Sequence, residues 1–294
     1  MIAHSSSEPF SIYPGIELNQ FHFCSDSASH THPSKKEILS ITCCFSGRIG
    51  WKLNDGTELY LGPGDIAVNG MNLCSASNMR FPLGFCDILS ISADLEELNR
   101  NPLEILEYAG ISTLALYERF CVPGKALILS ATDKSQRLLA DFYQALPELR
   151  TAIFKLKVQE LLLLLWTSDL TDAGPQRLYT QQTEIIRQVH RQITQNLSTR
   201  YTIEELARQY HLNTSTLKQV FKAVYGQPIA AYMKEYRIRC AMQLLRTTDE
   251  SVADIAARLG YRSQSRFSEA FKDVTQMLPS DYRNPAEGII RSHS

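Results

Sequence analysis

Residues 202 to 283 carry one pattern twice, and a chain that repeats itself in this way has few folds open to it. The first copy, TIEELARQYHLNTSTLKQVFK, runs from Thr202 to Lys222, and the second, SVADIAARLGYRSQSRFSEAFK, from Ser251 to Lys272. Each opens on a hydroxyl residue with an acid three places on, Thr202 with Glu205 and Ser251 with Asp254. That spacing is a helix start in which side chain and backbone cap each other, Asp254 being the shorter version. An apolar face follows in each, Ile203, Leu206, Ala207 and Tyr210, then Val252, Ile255, Ala256 and Leu259. A break, His211-Leu212-Asn213 or Gly260-Tyr261-Arg262-Ser263, leads to a second helix capped by Asn213 or Ser263. Its inward residues are Leu217, Val220, Phe221 and Val224 in one copy and Phe267, Ala270, Phe271 and Val274 in the other, at helical spacing. Two short helices joined by a tight turn make a helix-turn-helix, whose second helix fits a DNA major groove. Two copies predict two reading heads. Between them, Tyr232 to Leu245 predicts one long helix whose length sets their separation, about 34 Å for one DNA turn.

Charge agrees with this division. The 294 residues have a formal net charge of -1, yet from Gln181 to Arg283 there are 15 Lys and Arg against 10 Asp and Glu, a local +5. The basic excess lies where a polyanion would bind. Seven cysteines (Cys24, Cys43, Cys44, Cys74, Cys86, Cys121 and Cys240) show neither CxxC nor zinc spacing, which fits reduced thiols in a cytoplasmic protein. The N-terminus lacks a signal-peptide pattern, and no apolar run reaches the 18 residues of a membrane span.

Toward the N-terminus the pattern changes to strands. Residues 1 to 34 read as an irregular arm with extended pieces near Ile16 to Phe23. Ile38 to Phe45, Ile49 to Leu53, Thr57 to Leu61, Ile66 to Val68 and Phe85 to Ile91 read as antiparallel strands, punctuated by Asn54-Asp55-Gly56 and Gly62-Pro63-Gly64-Asp65. Short strands between such turns predict a small barrel or sandwich. Asp94 to Tyr108, Lys134 to Ala145 and Glu148 to Thr167 read as helices. The last, with Ile153, Leu156 and Leu161 to Leu165, has more apolar surface than a small sheet needs, which predicts a homodimer contact or further packing within the chain. Cys43 and Cys44 are expected to place one thiol in the core and one outside.

The stretch Gly47 to Val68, GRIGWKLNDGTELYLGPGDIAV, resembles the cupin-like barrel of ligand-responsive regulators through Leu61-Gly62-Pro63-Gly64-Asp65. The C-terminal part resembles the AraC/XylS family of transcription regulators. Gly260-Tyr261-x-Ser263-x-Ser265-x-Phe267, Phe271-Lys272 and Pro279-x-x-Tyr282-Arg283 carry the match in the second head. In the first, Leu206-Ala207, Leu217, Phe221-Lys222, Gly226-x-Pro228-x-x-Tyr232 and Arg237 carry it. The family commonly has Arg at Glu269, Gly at Gln276 and Ser or Thr at Leu278, so this chain departs there.

The fold expected is therefore α+β. It comprises an N-terminal cupin-like antiparallel β barrel with accessory helices over residues 1–170, a linker over 171–180, an all-α domain with two helix-turn-helix motifs over 181–285, and a flexible tail over 286–294. With the inward residues fixed, Ser215, Lys218, Gln219 and Lys222 face outward in the first head, and Gln264, Ser265, Arg266, Ser268, Glu269 and Lys272 in the second. Gln pairs with adenine, Arg with guanine, and Glu accepts from cytosine N4, while Lys222 and Lys272 are placed to meet phosphates. Double-stranded DNA is the expected partner, and the resemblance adds RNA polymerase and activation.

A barrel mouth suits a small effector, with Phe45, Trp51, Phe81 and Phe85 as lining, although the same side chains serve equally as core. A protein partner or a metal is the alternative input. His30 and His32, with His22, Cys24, Cys43 and Cys44, are the residues a metal would use, but two histidines in a serine-rich arm read more simply as solvated, and no metal or cofactor is expected. No Ser/His/Asp order, carboxylate pair or phosphate loop points to an enzyme, which leaves a cupin-type enzyme the weakest reading.

Overall fold

A computed structural model describes residues 4–6, 10–31, 37–53, 55–70, 76–122, 125–172 and 178–284. The chain divides into two compact units, Met1–Thr180 and Gln181–Ser294. The described strands are β1 (His4–Ser6), β2 (Phe10–Tyr13), β3 (Ile16–Phe23), β4 (Ser27–Thr31), β5 (Ile38–Gly47), β6 (Ile49–Lys52), β7 (Thr57–Leu61), β8 (Ile66–Gly70), β9 (Ala76–Arg80), β10 (Cys86–Asp94), β11 (Leu127–Leu129), β12 (Thr171–Asp172) and β13 (Leu178–Tyr179). The helices of the first unit are α1 (Leu95–Arg100), α2 (Glu104–Tyr108), α3 (Thr113–Phe120), α4 (Asp133–Gln144) and α5 (Arg150–Thr167).

The strands form two antiparallel sheets and not a barrel. The larger runs β1-β3-β10-β5-β8-β11-β12, with β2 also on β3, and the smaller runs β13-β7-β6-β9-β4. Among the described residues each sheet ends on two different strands and no ladder joins one sheet to the other, so the expected cupin-like barrel is corrected to a pair of open sheets. Turn residues carry the chain between the two sheets. Gly47, at φ 73°, ends β5 and sends the chain to β6 in the smaller sheet, and Gly62-Pro63-Gly64-Asp65 returns it to β8 in the larger. Asp65 braces that return: its carboxylate accepts from the amides of Gly62 at 2.8 Å and Ala131 at 2.9 Å.

The larger sheet is covered on both faces over most of its length. One face packs with Ile49, Trp51, Leu59 and Leu61 of the smaller sheet through Phe23, Cys44, Ala67 and Ile88. The other, through Leu18, Leu39, Ile41, Cys43, Val68 and Leu89, packs against α1 to α5. Cys43 and Cys44 are consequently both buried, contrary to the expected split, because β5 is a central strand of a covered sheet. β3 is likewise an eight-residue strand beside β10, where only short extended pieces were expected.

Asp94 to Tyr108 is two helices. Pro102 lacks an amide hydrogen and disfavours helical backbone at Asn101, so α1 stops at Arg100 and α2 begins afresh at Glu104. The sequence pattern also missed α3, which Ser112 caps by accepting from the amide of Ala115. On α5, Phe154, Val158, Leu161, Leu162, Leu164 and Leu165 are buried inside the chain, so intrachain packing absorbs most of its apolar excess. Of residues 171–180, β12 pairs with β11 and β13 with β7; residues 173–177 lie outside the described set, as do Asn54, His32 and the tail from 286 to 294.

The second unit is helical: α6 (Thr180–Gln195), α7 (Ile203–Gln209), α8 (Thr214–Tyr225), α9 (Ile229–Thr247), α10 (Val252–Arg258), α11 (Gln264–Thr275) and α12 (Pro279–Arg283). The long helix α9 serves both copies. Its Ile229, Tyr232 and Met233 are buried near its start, and Ile238, Ala241 and Leu245 join Ile255, Leu259, Phe267 and Phe271 in one core.

Candidate nucleic-acid interface

Each reading head is built by its caps and its buried residues. Thr202 and Glu205 close the reciprocal box, the Thr202 hydroxyl accepting from the Glu205 amide at 3.1 Å and the Glu205 carboxylate from the Thr202 amide at 2.8 Å. The bond from the Thr202 amide, aided by the Thr202 side chain, holds the Glu205 carboxyl below the usual range. In the second copy the Ser251 hydroxyl accepts from the Asp254 amide at 3.1 Å and donates to the shorter Asp254 carboxylate at 2.6 Å. Asn213 caps α8 at 2.7 Å and Ser263 caps α11 at 3.3 Å.

The turns match bond for bond. Leu212 donates its amide to Ala207, and Tyr261 donates to Ala256, at 2.9 Å each. His211, at φ 54°, occupies the left-handed position that Gly260 fills at 77°. Gly260 also meets a close approach, since a Cβ there would lie 2.5 Å from the Leu197 carbonyl oxygen. Arg262 is then the extra residue before the Ser263 cap.

With Leu217, Val220, Phe221 and Val224 buried, α8 leaves Ser215, Lys218, Gln219 and Lys222 exposed together. With Phe267 and Phe271 buried, α11 leaves Gln264, Ser265, Arg266, Glu269 and Lys272 exposed and Ser268 half-buried. The repeat therefore brings each predicted set onto one helix surface. Val274, expected inward, is 38% exposed, because the last turn of α11 runs beyond the core formed with α9.

The two surfaces differ electrostatically. Lys218 and Lys222 form no ion pair among the described residues. On α11, Arg266 is 3.2 Å from Glu269, and the adjacent Lys234 of α9 is paired with Asp273. These groups border a cleft of about 670 Å³ that also takes in Arg200, Arg262 and Tyr261. Arg200 is fixed by donating to the Gly260 carbonyl at 3.0 Å. The helix-face reading missed Arg200, Lys234 and Arg262, since they lie outside α11 and only packing gathers them; the basic excess over 181–283 was their one trace. Arg237 is partly buried, donates to the Leu197 carbonyl at 3.3 Å, and is held below the usual arginine range by burial and by Arg200. It supports the turn rather than joining the exposed face.

In the first unit the four aromatics proposed as effector lining are not gathered in one place. Trp51 and Phe81 belong to the core between the sheets, where Phe81 is fully buried and stacks on Phe23 at 4.4 Å. Phe45 packs on the helical side, stacked on Tyr143 at 3.9 Å, and Phe85 is 36% exposed. Of the residues considered for a metal, Cys43 and Cys44 face separate cores, while His22 and Cys24 touch at 3.1 Å. Among the described residues no group of three or more His, Cys, Asp or Glu is arranged to hold a metal ion, and no helix is long and apolar enough to cross a membrane.

Comparison with known proteins gives a match to the helix-turn-helix domain family over residues 206–285. The chain is 33% identical over 108 residues to the HTH-type transcriptional activator AarP of Providencia stuartii, covering 36% of this chain and 80% of that protein. It is 32% identical over 101 residues to the regulatory protein SoxS of Salmonella typhimurium, covering 34% of this chain and 94% of that one. Against the transcriptional activator RhaR of Mannheimia succiniciproducens it is 35% identical over 92 residues, so that match spans only 33% of the relative's length. These relatives are regulators, and the likeness to AarP and SoxS extends over most of their length. The chain belongs to the AraC/XylS family of DNA-binding transcription regulators.

Proposed function

We propose that the protein is a sequence-specific transcription activator in which α8 and α11 read adjacent major grooves. The observation that supports this most is the repeated burial pattern, which leaves one polar, cation-bearing face on each second helix. Ser215, Lys218 and Gln219 meet bases in the first head, and Gln264, Ser265, Arg266, Ser268 and Glu269 in the second; Lys222 and Lys272 hold phosphates. Activation, and with it contact to RNA polymerase, is favoured by the family and by the activators AarP and RhaR among its relatives. The first unit supplies the input as a small-effector site, with a protein partner as the second reading. It also supplies the homodimer contact: Leu149, Ile153 and Leu156 follow at helical spacing on and before α5, Leu149 being 53% and Leu156 65% exposed.

Genomic fragments recovered on the full-length protein at two salt concentrations test the reading. Enrichment of sites with two spaced half-elements supports it. Lys222→Ala or Lys272→Ala then weakens binding to every sequence and lowers the salt slope, while Gln219→Ala or Arg266→Ala relaxes one base position by about 1–3 kcal/mol. Equal losses on cognate and random DNA for Gln219→Ala and Arg266→Ala would overturn the base-reading assignment.

A further inference from the structure

The register of the larger sheet lines up a row of polar residues that DNA recognition does not use. Asp87 of β10 lies opposite His22 of β3 on one side and opposite Ser46 of β5 on the other. The side chains are joined along the row. His22 Nδ1 is hydrogen-bonded to Asp87 Oδ1, and Ser46 Oγ donates to Asp87 Oδ2. Just past the end of β3, Cys24 Sγ lies 3.1 Å from His22 Nε2.

This order has a chemical direction. A carboxylate accepting at Nδ1 fixes the proton on that nitrogen, so Nε2 presents its lone pair to the thiol. Thiol, imidazole and carboxylate then stand as nucleophile, base and orienting group. Ser46 holds the carboxylate from its far side, and three adjacent strands fix the spacing of His22, Asp87 and Ser46, with Cys24 directly after β3. Cys24 is exposed, whereas Cys43, Cys44 and Cys86 are buried. The His22 side chain is 54% exposed, so the pair is open to solvent. The reagent that suits such a site is small, reacts at a single atom, and has a leaving group that needs a proton.

We propose that Cys24, with His22 as its base and Asp87 as the positioning residue, is an oxidation site for small hydroperoxides. The Cys24 proton passes to His22 Nε2, and the sulfur attacks the terminal peroxide oxygen. The S–O bond forms as the O–O bond breaks, and the departing oxygen takes the proton back from His22. Sulfur loses two electrons and the peroxide gains them, giving Cys24 sulfenic acid and water or an alcohol. Proton transfer by a positioned group is worth a factor of about 100 or more, so even a partial contribution is measurable.

The test treats the full-length protein with hydrogen peroxide at neutral pH, traps sulfenic acid with dimedone, and follows each cysteine by peptide mass spectrometry. Cys24 is expected to react at least about tenfold faster than N-acetylcysteine amide and faster than half-buried Cys121 and Cys240. His22→Gln is expected to remove that advantage and Asp87→Asn to reduce it, with Cys121 and Cys240 unchanged as reporters of intact folding. A wild-type Cys24 rate no greater than that of the free thiol overturns the proposal whatever the variants do. Equal Cys24 rates in wild type and both variants overturn it as well.

Discussion

Protonation of His190 should loosen the DNA-binding unit in mildly acidic solution. His190 of α6 stacks on Tyr225 of α8 at 4.4 Å and is hydrogen-bonded through Nε2 to the Tyr232 hydroxyl of α9 at 2.8 Å. Tyr236 packs at its edge, 6.3 Å away, and Arg239 lies over the rings of Tyr232 and Tyr236. Burial, reinforced by the Arg239 charge, lowers its pKa from 6.5 to about 4. The folded unit therefore holds His190 neutral, while the unfolded chain takes up a proton below about pH 6.5. The stability conferred is complete above that pH, declines as pH falls toward 4, and is flat below. At pH 5 linkage gives a loss of about 2 kcal/mol relative to pH 7, close to a twentyfold change in opening equilibrium. Amide hydrogen exchange of α6, α8 and α9 in the full chain measures it, with His190→Gln as a non-titrating reference at the same two pH values. Protection should fall about twentyfold more in the wild type than in the variant. Parallel pH dependence in the two proteins would refute the reasoning.

Gln276 caps α11 at φ 62°, where Gly226 caps α8 at 84°, so Gln276→Gly should relieve strain and stabilise the unit by about 0.5–1 kcal/mol after the cost of a freer unfolded chain; urea unfolding with an unchanged midpoint would contradict this. Gly260→Ala places a Cβ against the Leu197 carbonyl at a left-handed position and should cost about 2 kcal/mol or more, read as a lowered melting temperature. Asp65→Ala removes the acceptor of the partly buried Gly62 amide and of the exposed Ala131 amide, which water can take over, and should cost the first unit about 1–2 kcal/mol in denaturant unfolding. The Leu149→Glu, Leu156→Glu double variant should sediment as a monomer with an almost unchanged melting temperature, since both side chains are already exposed; an unaltered dimer would exclude this face.

The second unit was open to sequence reading because its determinants are local. Caps at Thr202, Asn213, Ser251 and Ser263 act within three residues, and Leu217, Phe221, Phe267 and Phe271 follow the helical period, so inward and outward faces are set before any tertiary contact forms. Duplication makes each copy a check on the other. What exceeded that reach involves distant partners: the gathering of Arg200 and Lys234 beside α11, the enclosure of His190 by tyrosines 35 to 46 positions away, and the exposure of Val274 at the end of the shared core. The first unit shows the same division. Alternation and turn residues marked β5, β6, β7, β8 and β10 but not the short edge strands β1, β2, β4, β9 and β11 to β13, and whether strands close into a barrel depends on which edges pair, which no local pattern encodes. Open edges, two-sided burial of β5 and the His22–Asp87–Ser46 row all follow from the pairing order β3-β10-β5, which joins segments more than 20 residues apart. Local periodicity and capping thus settle the two reading heads and the faces they present, whereas the open sheets and the side-chain clusters come from long-range register and packing, which no short stretch of residues encodes.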